Sequence, residues 1–192
     1  FAKNMSMTFD DITEDGRLWA VRYDGDDDNA LFKLFDQWND VAWLRNFFKS
    51  YIDDLSSYFK ITDVNKAIYN TIEDAEILHC LIMDISPAAE LDRLFRPLEN
   101  HRVADGLLGK EKARLKTGIY HSSWLRIYAL KLSVGVYIVT GGAIKLTASM
   151  QEREHTLIEL QKMEKVRRFI LDQSIVDNDW CVEYVSELER WK

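Results

Sequence analysis

The sequence predicts an α+β fold, in which a small, mainly antiparallel sheet is packed on one face by helices and extended by an added helical segment. Residues 124–147, WLRIYALKLSVGVYIVTGGAIKLT, hold two runs rich in β-branched, aromatic and aliphatic residues. They flank Ser133-Val134-Gly135, a connection whose glycine can supply the positive φ that a tight hairpin loop needs. Elsewhere apolar residues recur at helical spacing. At 192 residues, 47% of them hydrophobic, with two prolines and eight glycines, the chain is long enough for a sizeable core and built for long regular elements. It reads as one domain, 1–192: a core over about 16–59 and 107–172, a helical insertion over about 60–106, and a C-terminal helix over 177–190.

Leu18 to Tyr23 (LWAVRY) predicts a strand with Trp19, Val21 and Tyr23 on one face. The acidic turn after it spaces Asp24, Asp26 and Asp28 like an EF-hand loop, but Asn29 stands where that loop needs glycine and Phe35 where it needs glutamate. A helix N-cap from Asp27 or Asp28 is the better reading. Leu31, Leu34, Phe35 and Trp38 mark one amphipathic helix, and Trp43 through Leu55 a second. A third begins near Thr62 or Asp63, carries Val64, Ile68, Thr71, Ile72, Ala75, Leu78 and Ile82 on one side, and stops before Pro87. Ser86-Pro87 opens a short helix carrying Leu91, Leu94 and Phe95. Residues 99–109 read as a loop hinged at Gly106 and Gly109, Thr117–Tyr120 as a short strand pairing with the hairpin, and His121-Ser122-Ser123 as the turn into it. In the hairpin, Arg126, Tyr128, Leu130 and Leu132 share one face and Ile127, Ala129 and Lys131 the other. Gly141-Gly142 predicts a bulge or a close backbone approach. Ser149-x-x-Glu152 is a capping box for a long helix to about Asp172 that buries Leu157, Leu160, Met163, Val166 and Ile170. A last helix starts near Asp177 or Asn178.

Charge is unevenly distributed. Residues 1–106 hold 11 Lys/Arg against 21 Asp/Glu, residues 107–171 hold 12 against 5, and residues 172–192 hold 2 against 6. The basic block contains the hairpin and either forms an anion-binding surface or neutralises the acidic part internally. Cys80 and Cys181 lie far apart with no metal-ligand spacing, and predict two buried free thiols. No run reaches the roughly 20 apolar residues of a membrane span, and no signal-peptide pattern opens the chain, so a cytoplasmic location is expected.

The stretch WLRIYALKLSVGVYIVTGGAIKLTASMQE resembles the core of the RelE/ParE toxin superfamily, in particular its HigB-like, phage-derived branch. There a strand of the form Y-R-x-x-Y precedes one of the form I-V-L-L-H-G-F-x-K-K-T. Leu125-Arg126-Ile127-Tyr128 corresponds to the first and Val139 to Thr147 to the second, with Thr140 in place of the histidine and Leu146 in place of the second lysine. The resemblance covers about residues 110–172. It implies metal-free, cofactor-free cleavage of ribosome-bound mRNA, with cations neutralising the transition state and a His or Tyr moving the proton. The implied partners are a cognate antitoxin protein, the ribosome and mRNA. On that reading Arg126 and Lys145 are the catalytic cations, with His121, Tyr120 or His155 near the chemistry. Lys110, Lys112, Arg114, Lys116 and Lys131 would hold RNA. The alternative is the same scaffold without catalysis, acting as a binding or regulatory module.

Overall fold

The computed structural model describes residues 7–83, 91–97, 109–113 and 122–173. It is α+β, with one six-stranded sheet. The elements are β1 (Met7–Asp11), β2 (Leu18–Tyr23), α1 (Ala30–Asn39), α2 (Val41–Ser50), α3 (Ile52–Phe59), α4 (Val64–Met83), α5 (Leu91–Leu94), β3 (Phe95–Pro97), β4 (Gly109–Ala113), β5 (Leu125–Ser133), β6 (Val136–Ile144) and α6 (Glu154–Gln173). The sheet order is β1-β2-β6-β5-β4-β3. Only β2 and β6 run parallel; the other four pairings are antiparallel.

Strict alternation along the central strands sends apolar side chains to both faces. Leu18, Ala20, Leu125, Ile127, Ala129, Tyr137 and Val139 pack with α1 to α4, whereas Trp19, Val21, Tyr128, Leu130, Leu132 and Ile138 pack with Met163, Val166 and Ile170 of α6. Helices therefore cover the second face as well as the first. The reading of a hairpin with one open, cation-bearing face missed this because α6 has a narrow apolar stripe, which its spacing does not assign to either side of the sheet. Leu157 and Leu160 are only half-buried, and Thr156 and Glu159 take the inward positions between them.

The local readings divide along physical lines. The hairpin is tighter than expected: Ser133 pairs with Val136, leaving Val134-Gly135 as a two-residue loop with Gly135 at φ 73°. Asn29, not Asp27 or Asp28, caps α1 by accepting from the backbone N–H groups of Leu31 and Phe32 at 3.1 Å each. The second predicted helix is interrupted at Tyr51, whose backbone (φ −116°, ψ 28°) separates α2 from α3. Phe95 begins β3 instead of ending a helix, since β3 pairs with β4. The hairpin's neighbour is β4 itself, formed by the start of the basic segment. The strand β1, too short and acidic to stand out, went unseen. Cys80 is a free thiol but exposed rather than buried. The acidic turn after β2 is partly neutralised within the fold, Asp26 by Lys33 at 2.6 Å and Asp28 by Arg22 at 3.9 Å. The short strand 117–120, the turn at His121, the helix start at Ser86-Pro87, most of the 99–109 loop, Cys181 and the last helix lie outside the described residues.

α4 belongs to the core. Its Thr71 Oγ1 accepts a hydrogen bond from Nε1 of the fully buried Trp124 at 3.0 Å and donates to the Ala67 carbonyl at 2.7 Å. Among the described residues, no helix is long and apolar enough to cross a membrane.

Candidate functional site

The hairpin register decides where the expected cations stand. Arg126 pairs with Ala143, and the Lys145 N–H continues the ladder by donating to the Trp124 carbonyl at 2.8 Å. The ladder shifts by one residue at Leu132 and back at Thr140, and the two shifts cancel; the two-residue loop therefore sets Arg126 opposite Ala143 and makes Arg126 and Lys145 diagonal neighbours instead of a facing pair. In an antiparallel ladder such neighbours stand about 7–8 Å apart. Both lie on the α6 face, as do Lys110 and Lys112 through their pairing with Leu130 and Tyr128. Both heads turn to backbone. Arg126 Nη1 donates to the carbonyls of Ser123 at 2.9 Å and Leu125 at 2.7 Å, and Lys145 Nζ to those of Thr147 and Ala148 at 2.6 Å each.

His155, in the first turn of α6, is wedged between the rings of Phe47 (5.2 Å) and Tyr51 (4.9 Å). Its Nε2 lies 2.8 Å from the Ile144 carbonyl, which places the proton on that nitrogen, and Nδ1 is buried without a hydrogen-bond partner. Lys110 pairs with Glu164 of α6 at 2.8 Å, and Lys131, on the opposite face, with Asp92 at 2.7 Å. Lys110, Lys112 and Lys145 are all half-buried, so the exposed basic surface expected of an RNA-binding face is not formed by these three. Arg114, Lys116, Tyr120 and His121 lie outside the described residues.

The structure also brings together groups that sequence reasoning did not assemble. Beneath α6, Glu159 is 8% exposed and its carboxyl is bonded to Lys162 Nζ at 2.8 Å. Burial holds it above the ordinary carboxylate range, although Lys162 and the Gly142 N–H pull the other way. Its Oε2 and the hydroxyl of the fully buried Tyr128 make no hydrogen bond among the described residues. Tyr23 completes the cluster, donating to the Thr140 carbonyl at 2.5 Å. Burial raises the Tyr23 and Tyr128 phenols far above their ordinary value, with the charge of Glu159 adding to it. Gly141 makes room for this carboxylate: a Cβ there would sit 2.1 Å from Glu159 Oε2. A Cβ on Gly142 would meet Leu34 Cδ2 at 2.3 Å and the Arg126 carbonyl at 2.5 Å. The two glycines are thus a close approach, one toward each layer of helices, while the bulge itself falls beside them at Thr140.

A second grouping lies where α3 passes into α4. A pocket of about 370 Å³ is lined by Tyr58, Phe59, Lys60, Ile61, Lys66, Asn70 and Ser122. Lys60 closes α3 in the left-handed conformation (φ 58°), and Lys66 and Asn70 stand one turn apart on α4. Their i, i+4 spacing was the available signal, but nothing in the local sequence brings Lys60 and Ser122 to the same place. The chain matches no protein-family model, no curated protein and no solved structure.

Proposed function

We propose that this chain is a non-catalytic binding or regulatory module built on a RelE-like sheet. The observation that carries this is the state of the two motif cations. Arg126 and Lys145 each spend hydrogen bonds on two backbone carbonyls, on a sheet face that α6 covers. A phosphate reaching them would have to displace those bonds, whereas a transition-state clamp works by being organised beforehand. His155 is similarly committed, with one ring nitrogen on a carbonyl and the ring held between aromatics.

The toxin reading stays as the second proposal, supported by the order in which β2 and α1–α2 come before the basic strand β4, the hairpin and a closing helix, with α3–α5 and β3 as additions between them. Induced expression with a growth and mRNA-cleavage readout separates the two. The module reading expects no growth arrest and no cleavage of ribosome-bound mRNA. Arg126→Ala and Lys145→Ala should then act on stability alone, by about 0.5–1.5 kcal/mol for each hydrogen bond lost. Growth arrest that either variant relieves while remaining folded would establish the nuclease reading instead.

A further inference from the structure

We infer that the pocket between α3 and α4 is a binding site for a small organic anion, an apolar body carrying one carboxylate or phosphate group. The inference rests on the module reading and names the ligand class such a module would take. At about 370 Å³ the pocket falls in the range of small-molecule sites. Among the described residues its lining holds two lysines, no carboxylate, and a wall formed by Tyr58, Phe59 and Ile61, with the Glu152 carboxylate 3.5 Å from the Tyr58 hydroxyl. The one acid between residues 58 and 70, Asp63, is turned to the start of α4, accepting from the Asn65 N–H at 2.9 Å.

The second observation is Asn70. It is 7% exposed, it lines the pocket, and its amide makes no hydrogen bond with the described residues. An amide that lines a pocket without a protein partner can donate to a ligand oxygen. Lys60 commits one of its three donors to the Ser57 carbonyl at 2.7 Å and keeps two for a ligand. Lys66, exposed at the rim, reaches in from the same face of α4 as Asn70. Two ammonium groups and an amide converging beside aromatic rings select an anion with an apolar body over a free inorganic ion or a neutral ring.

Isothermal titration of the full chain with phenyl phosphate, benzoate, inorganic phosphate and phenol tests this. Phenyl phosphate or benzoate should bind one to one with a Kd of about 1 mM or tighter, the range open to ligands of this size. Phosphate and phenol should bind more weakly than either, and the better of the two organic ions identifies the head group. Lys66→Gln and Lys60→Gly should each weaken binding about tenfold, the loss of one hydrogen bond to a charged group. Both side chains are exposed and glycine suits the left-handed Lys60 position, so both variants keep the fold. Lys49→Gln, on the exposed side of α2, is the control and should bind as the parent does. Failure of both organic ions to bind, or equal binding by the parent and Lys66→Gln, overturns the inference. mRNA cleavage by a chain that still binds phenyl phosphate here overturns only the module reading.

Discussion

Gly141 and Glu159 form the most constrained contact of the hairpin, and exchanging either has a calculable direction. Gly141→Ala drives a methyl into Glu159 Oε2 and should cost about 1–3 kcal/mol in chemical denaturation. The background Glu159→Ala should relieve only part of that cost, because at φ 157° Gly141 keeps a backbone conformation that a side chain rarely adopts. Gly142→Ala should not be rescued by Leu34→Ala, since the Arg126 carbonyl still blocks the site. Glu159 also makes stability depend on pH. Its carboxyl is held above the ordinary value of 4.5, so the folded chain keeps a proton that the unfolded chain has already released. Stability therefore falls as pH rises through that interval and levels off above it. Glu159→Gln should remove this loss, raising Tm relative to the parent at pH 8 more than at pH 4. Glu111 is raised by burial in the same direction and stays in both proteins, so the difference isolates Glu159. Asp92 has the opposite sign: burial pushes its carboxyl up, but its bonds to Lys131 and Tyr137 together outweigh that and hold it low, so its contribution is lost in acid.

The junction leading into α6 is a clamp. Glu152 Oε1 accepts the Ser149 N–H at 2.6 Å, as the capping box predicts, but the box starts only the single turn Met150–Glu152. The chain then extends at Arg153 before α6 begins, and the Arg153 guanidinium grips Asp54 of α3 in a two-point pair, Nε to Oδ2 at 2.7 Å and Nη2 to Oδ1 at 2.5 Å. The Asp54 side chain is 10% exposed. Arg153→Met should therefore cost about 1–3 kcal/mol by urea denaturation, mostly from the carboxylate left unpaired. Adding Asp54→Asn should recover part of it. A surface pair of no consequence would show a loss of less than about 0.5 kcal/mol in the single variant. This pair ties the helices of one sheet face to the helix of the other.

Across the whole molecule the charge asymmetry is partly absorbed inside. Arg153 with Asp54 and Lys131 with Asp92 join the basic block to the acidic part, while Lys110, Lys162, Arg167 and Arg168 find Glu159 or Glu164 within the block itself. RNA binding by the intact chain at physiological salt should accordingly be weak, with a shallow dependence of log K on log salt in a filter-binding assay. A slope of about 5 or more would show instead that several cations reach phosphate. Much of the fold was legible because these signals are local: the alternation of β2, β5 and β6, the stripe of α4 and the close backbone approach at Gly141-Gly142 all follow from the sequence of each segment. The candidate sites were not. Whether a strand face is open or roofed depends on where α6 lands, and whether a cation is available depends on which carbonyls or carboxylates lie within reach. The convergence of Lys60, Lys66, Asn70 and Ser122 likewise exists only once α4 has packed on β5. Spacing along the chain determines which face a side chain occupies, and packing between distant segments determines what meets it there.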